Sequence, residues 1–360
     1  MSDRAADGRT TASGSAPAIT VDGLATYLRC PRRYEFAHVH GLEGKDESPT
    51  EARVDLVRRA ICDALRTGET GADALEEAAR DRLGTLWADH DERFHSLAQR
   101  RHERRVLEAT VSAYVEAAGA DHASGLEALR ADAPGGTHVG PNRRVSSTIR
   151  LPENDGGGPD LGPEAVTIDA SIDYAYANGS ELVGVRLEPT LAGLGPIRYR
   201  SSWEGAVEEL FDEHFDPADD RFEPGPVAAL FETSVVLDGL RTLRDRLDLE
   251  GRTCRYLRIP LAERSRTSIN WVRGTVETSL EPVDVTDAFV DHHAFGMTHE
   301  RRNPAVRERL ARVVRRIVAE RFDPTEPAGR WDRVSDRACP NCEYTVCCGE
   351  YVAEEVRFDG

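Results

Sequence analysis

The chain of 360 residues is long enough for one large or two medium domains with a sizeable core. It carries 64 Asp+Glu against 46 Lys+Arg, a formal net charge of −18, and a single lysine, Lys45. A carboxylate-rich surface almost without lysine fits a halophilic cytoplasm, where concentrated salt screens self-repulsion, so the acidity reports the solvent and leaves nucleic acid open as a partner.

No apolar run reaches the length of about 20 residues that spans a bilayer. The polar start, MSDRAADGRTTASGSAP, lacks the apolar core of a signal peptide and reads as a disordered leader over 1–17. The remainder, 18–360, reads as one domain with no internal repeat. In ITVDGLATYLRCPRRYEF, Leu24, Tyr27 and Leu28 have helical spacing, with Asp22 as N-cap. Cys30-Pro31 breaks that helix and starts another.

A helical part extends over about 50–130. A loop-rich stretch over 132–165 holds one short strand, Val145 to Leu151, ahead of the ENDGGGPDLGP loop. The period then changes to two: Val166, Ile168, Ala170, Ile172 and Tyr174 alternate with polar residues, and Asn178-Gly179 marks a hairpin. A helix near 226–247, strands near 253–260 and 268–279, and a helix over 304–322 follow. Asn303-Pro304 caps the last helix and Asp323-Pro324 stops it. The order predicts an α/β fold with a core over about 140–300, a helical insertion, and a C-terminal helix with a cysteine segment over 301–360.

The tail ACPNCEYTVCCGE places Cys339, Cys342, Cys347 and Cys348 within ten positions. Clustered thiols in a reducing compartment point to metal or redox chemistry rather than disulfides. Both zinc and a [4Fe–4S] cluster accept four cysteines, so a zinc-stabilised interaction module and an iron–sulfur protein both remain open. Cys62 and Cys254 read as small buried hydrophobes.

YLRCPRRYEF near the start together with C-x2-C-x5-C at the end resembles the iron–sulfur branch of the PD-(D/E)XK nuclease superfamily, which includes AddB-like subunits and CRISPR-adaptation exonucleases. The resemblance implies a restriction-endonuclease-like core, a mixed sheet flanked by helices. It implies a [4Fe–4S] cluster on Cys30, Cys339, Cys342 and Cys348 that clamps the chain's ends. Closing a loop of about 300 residues is worth roughly 5–6 kcal/mol in the chain-entropy treatment. It also implies DNA, as single strands or ends, as the partner, with any helicase a separate subunit, since the chain has no Walker A lysine loop.

Members of this superfamily cleave phosphodiesters with Mg²⁺ or Mn²⁺ on acidic side chains. In SIDYAYANGSELVGVRLEP, Asp173 falls on the metal-binding aspartate, Arg186 on the next carboxylate position and Glu188 on the lysine position. The expected turn sets Asp173 opposite Gly184 and diagonal to Arg186, where the arginine can pair with it directly. Arginine is always protonated and cannot ligate a cation. Cys62 takes the place of the family histidine, and Val227 and Phe231 the places of its Gln-x3-Tyr. The expectation is a DNA-processing protein of recombination or repair that has lost cleavage. The alternative is an active exonuclease using Asp169, Asp173 and Glu188.

Three basic islands stand out: RRHERR at 100–105, RRVSSTIR at 143–150, and the helix at 304–322 with Arg307, Arg309, Arg312, Arg315 and Arg316. Arginine forks suit phosphate. In strong salt, counterion release contributes little, and binding leans on stacking, for which Tyr27, Tyr34, Phe36 and Trp331 are candidates.

Overall fold

The computed structural model describes residues 19–42, 44, 48–134, 138–151, 163–191, 224–286, 304–326 and 330–355. The leader expected over 1–17, Lys45, most of the ENDGGGPDLGP loop and Asn303 lie outside the described residues.

The fold opens with strand β1 (Ile19–Thr20) and helix α1 (Val21–Arg29), whose N-cap is Thr20 and not Asp22: the Thr20 hydroxyl accepts from Gly23 N at 3.0 Å. Cys30 is extended and ends α1; Pro31 then opens α2 (Pro31–Tyr34), which runs on as a short π-helical turn over Glu35–Val39. Four helices follow, α3 (Pro49–Arg66), α4 (Ala72–Ala88), α5 (Leu97–Tyr114) and α6 (Ala120–Asp132). α3 starts with a full capping box, Ser48 and Glu51 each satisfying the other's backbone N–H.

Next come β2 (Val139–Arg150), β3 (Ala165–Asn178) and β4 (Glu181–Glu188), then the 23-residue α7 (Pro224–Arg246) and β5 (Thr253–Pro260). A separate two-stranded hairpin, β6 (Thr267–Asn270) and β7 (Thr275–Thr278), stands where a single strand over 268–279 was expected. β8 (Val283–Asp284), α8 (Pro304–Val318), α9 (Trp331–Arg337) and α10 (Gly349–Glu355) complete the described elements.

β3 is the centre of a six-stranded mixed sheet. β2 pairs antiparallel along one edge of β3, from Arg150↔Ala165 to Val139↔Tyr174. The other edge is shared: β1 pairs parallel near its start, Ile19↔Ile168, and β4 antiparallel near its end, Asn178↔Glu181 through Tyr174↔Val185. β4 pairs parallel with β5, and β5 antiparallel with β8. The core thus reads β-meander, crossover helix, then a strand parallel to the last of the meander.

Two expectations about the hairpin are corrected. Its loop is Gly179-Ser180, with Gly179 at φ +55°, so the register moves: Gly184 pairs with Ala175, not Asp173, and the ladder ends at Tyr174↔Val185, one residue short of Asp173. The alternation along β3 also changes phase. Ile168, Ala170 and Ile172 face one core with α1, α7 and α8, whereas Tyr174 and Tyr176 face a second core with α3, α4 and α5. The switch falls on Asp173. Helices cover both faces of the sheet, which is why β3 and β4 are buried almost throughout. Among the described residues no helix is long and apolar enough to cross a membrane.

Candidate functional site

β1 and β4 occupy the same edge of β3, so β4 must leave it after Val185, and the gap opens at Asp173. Asp173 is fully buried, and its side chain does there what a backbone acceptor does elsewhere in the ladder: Oδ2 accepts from Leu187 N at 2.7 Å. Its Oδ1 accepts from Arg58 Nη2 of α3 at 2.6 Å and from Asn142 N at 3.3 Å. Asn142 belongs to an irregular stretch of β2 where the register shifts between Val139 and Arg143, and it adopts φ +61°. That irregularity brings its backbone N–H and amide oxygen to the gap.

Arg186 does not pair with Asp173 directly. Its Nη1 donates to Asn142 Oδ1 at 3.0 Å and Ser171 Oγ at 2.7 Å, while Arg58 Nη2 donates to the same Asn142 Oδ1 at 2.8 Å. Two guanidinium groups therefore share one amide oxygen beside one carboxylate. Burial pulls the Arg186 pKa down, but Asp173 first, then Tyr256 and Glu232, hold it above its usual value.

Glu188, two residues further along β4, faces Arg258 of β5, whose Nε and Nη2 engage both carboxylate oxygens. Glu232 of α7 stands 3.6 Å from the same guanidinium and accepts from the Tyr256 hydroxyl at 2.7 Å. Burial pushes the Glu188 carboxyl up against the pull of Arg258, and Glu232 and Glu188 together lift Arg258 in spite of its own burial. Asp169, four residues before Asp173, is paired with Arg144 of β2. Each of the three carboxylates weighed for a divalent cation is thus held by a different arginine: Asp169 by Arg144, Asp173 by Arg58, Glu188 by Arg258.

The remaining positions of the nuclease pattern are apolar or inert. Cys62 is fully buried under β3 with its Sγ 3.8 Å from Asp173 O, and desolvation pushes its thiol well up. Val227 and Phe231 pack into the first core. Arg58, Asn142, Arg258, Glu232 and Tyr256 escaped the sequence reading. The usable signal was Arg58, one helical turn before Cys62 and so on the same face of α3.

The cysteine segment lies against the start of the chain. Arg32 of α2 bonds Glu350, Arg33 bonds Glu343, Arg330 donates to Leu28 O, and the Tyr344 hydroxyl donates to Leu42 O. Cys30 packs with Val334 of α9 and with Ala338, which follows its last residue. Cys30, Cys339 and Cys348 are buried, Cys342 is half-buried and Cys347 exposed, its Sγ turned to Tyr344 O. Burial raises the Cys30 thiol, and the charge Cys342 brings as thiolate adds to it. Burial lifts Cys348 to about 11, with Glu350 and Cys30 adding to the rise. Cys342 thus opposes the ionisation of Cys30, and Cys30 that of Cys348, as thiols sharing one neighbourhood do, and a bound cation reverses that penalty. Among the described residues no three His, Cys, Asp or Glu side chains are drawn into a ready-made metal-binding group. The fit to a four-thiolate group is therefore one of donor type and neighbourhood. Cys254, buried on β5 far from the other cysteines in sequence and pushed to about 11 chiefly by burial, is a core residue.

The arginines of α8 have partners within the protein: Arg307 pairs with Asp238, Arg312 with Glu308, and Arg316 donates to Tyr27 Oη and Glu326 O. Tyr27 and Tyr34, candidates for stacking on bases, are buried against Phe322 instead, and Phe36 packs on Tyr344. No protein-family model matches the chain, and no curated protein matches its sequence.

Proposed function

We propose that this chain is a nucleic-acid-binding protein of the iron–sulfur branch of the PD-(D/E)XK superfamily that no longer cleaves, acting in recombination or repair beside a separate helicase subunit. The element order supports the superfamily: an antiparallel meander β2-β3-β4, a crossover helix α7, and β5 parallel to β4. The juxtaposition of the two chain ends supports the iron–sulfur branch, with Cys30, Cys339, Cys342 and Cys348 as the residues that would hold the cluster. When bound, such a cluster supplies a cross-link between the termini.

The observation that carries the loss of cleavage is the commitment of Asp173. Its carboxylate accepts three hydrogen bonds, one from a guanidinium and two from backbone N–H groups. A metal ligand needs lone pairs free to face the ion, and here arginine occupies that side. Glu188 is taken the same way by Arg258.

The test is a cleavage and binding assay on anaerobically purified protein in high KCl, after metal analysis. Single-stranded and duplex DNA are offered with Mg²⁺ or Mn²⁺, in parallel with Asp173→Ala. The expected result is iron with sulfide, binding, and no cut product. Cleavage abolished by Asp173→Ala would overturn the reading in favour of an active nuclease. Zinc without sulfide, with no DNA bound, would leave only an interaction module.

A further inference from the structure

The β6–β7 hairpin belongs to neither core, and its tip is the most exposed apolar feature among the described residues. Trp271 is 75% exposed and Val272 98%, whereas the other large aromatics among the described residues are mostly covered. The tip is held in shape. Asn270 Oδ1 accepts from both Val272 N and Arg273 N, an Asx turn that folds the loop over, and the Thr267 and Thr278 hydroxyls bond across the strands at 2.9 Å. It is also docked: Arg105 of α5 donates to Gly274 O at 3.0 Å, and the Trp271 indole lies over the His102 ring at 5.0 Å between centroids.

That docking sets the indole beside the first basic island. Arg101 precedes His102 and lies one helical turn before Arg105, on the same side of α5. Arg273 is in the tip itself. Arg101 and Arg105 are exposed, and neither Arg101, Arg105 nor Arg273 has a carboxylate partner among the described residues. The acids on this stretch of α5 are engaged by other arginines, Glu103 by Arg53 and Glu108 by Arg104. A solvent-facing indole docked on α5 beside arginines without a carboxylate partner among the described residues, on a chain of net charge −18, is complementary to one ligand chemistry: a polyanion that carries flat rings.

We infer that the β6–β7 tip and the adjoining face of α5 bind single-stranded nucleic acid, with a base stacked on Trp271 and phosphates met by Arg101, Arg105 and Arg273. The inference rests on the nucleic-acid-binding reading above and names the surface that performs it. Single strands are favoured over duplex because the indole needs an unstacked base face. Stacking also survives the strong salt that weakens the phosphate contacts.

The test uses the full chain and a fluorescent oligo-dT in high KCl, with anisotropy as the readout. Trp271→Ala is expected to weaken binding by about tenfold or more, Trp271→Phe to recover most of the loss, and neither to move the melting temperature. Arg101→Gln and Arg273→Gln are each expected to reduce the salt slope by about 0.7. If the parent protein binds oligo-dT and Trp271→Ala binds equally well, this surface is wrong while the reading stands, and the exposed tip belongs to a protein partner. If the parent does not bind, the reading fails and this inference with it.

Discussion

Arg58 and Asp173 meet at 2.6 Å across 115 residues of sequence, the guanidinium from α3 closing on a carboxylate with no exposure to solvent. Removing one member of a buried pair strands the other, at a cost of about 3–5 kcal/mol. Asp173→Ala is therefore expected to lower stability by that order, since it also deprives Leu187 N of its acceptor. Denaturant unfolding with no divalent cation present measures it. A variant as stable as the parent would mean the carboxylate is not held by Arg58, and the argument against a metal there would lose its basis.

Glu188 and Arg258 allow a stricter test, because buried ion pairs can be replaced as units. Arg258→Met alone leaves Glu188 and Glu232 facing each other in a poorly hydrated space, and a loss of about 3 kcal/mol or more is expected. Adding Glu188→Leu removes the unpaired charge and is expected to return at least half of that loss. A double-mutant cycle by chemical unfolding gives the coupling. Additive losses would show that the two side chains do not interact.

The parts of this site differed in how far they could be read before the fold was known. Asp173 and Glu188 were found because the two-residue period and the hairpin signal are local. Their register was misjudged by the choice of Asn178-Gly179 over Gly179-Ser180, a shift that moves every cross-strand pair. Arg58 could be placed on the Cys62 face of α3 by helical spacing, whereas Arg258 was out of reach, since which strand arginine meets Glu188 is decided by sheet placement. The tail's proximity to Cys30 came only through resemblance, because nothing in the spacing of Cys339, Cys342 and Cys348 points three hundred residues back. Trp271 was missed when one strand over 268–279 absorbed a hairpin whose Asn270 and Gly274 are ordinary turn signals.

On the proposed iron–sulfur reading, iron content should follow the same division of cysteines. Cys30→Ser, Cys339→Ser and Cys348→Ser are each expected to lose most bound iron and sulfide and to melt at lower temperature. Cys254→Ser and Cys347→Ser are expected to retain them, since Cys254 is a core residue and Cys347 is turned outward. Measured iron per chain and thermal melts under argon decide it. Retention of iron by Cys30→Ser would place the whole site in the tail.

Acid should destabilise the fold through His122. The ring is buried among Tyr114, Tyr174 and Tyr176, its Nδ1 2.7 Å from Tyr174 Oη, and desolvation lowers its pKa to about 4. The unfolded chain takes up this proton near pH 6.5 and the folded one only near pH 4. The unfolded state thus binds more protons in between, and stability falls as pH drops through that window, by up to roughly 3 kcal/mol. His38 and His138, also lowered by burial, act in the same direction, so the comparison must be with a variant. His122→Phe is expected to flatten the pH dependence between 6.5 and 4 relative to the parent, leaving Tyr114 and Tyr174 bonded to each other at 2.9 Å. Parallel slopes for the two proteins would assign the acid sensitivity elsewhere.

Three helical glycines separate packing from propensity. Alanine is favoured over glycine in a helix interior by about 1 kcal/mol. A Cβ on Gly84 of α4 meets nothing nearer than Arg104 Nη2 at 3.8 Å, so Gly84→Ala is expected to stabilise by that amount. On Gly125 of α6 the same atom would stand 2.4 Å from Ala177 O and 2.6 Å from Tyr176 Cδ2. On Gly239 of α7 it would stand 2.7 Å from Val145 Cβ and 3.0 Å from Ser146 N. These two helices rest on opposite faces of the sheet through their glycines, and the obstacles include backbone atoms that cannot turn aside. Gly125→Ala and Gly239→Ala are therefore expected to destabilise by about 1–3 kcal/mol each, reversing the sign that propensity alone gives. Equilibrium unfolding of the three variants checks the ordering. A stabilised Gly125→Ala would mean that α6 does not approach β3 as closely as the layer packing requires.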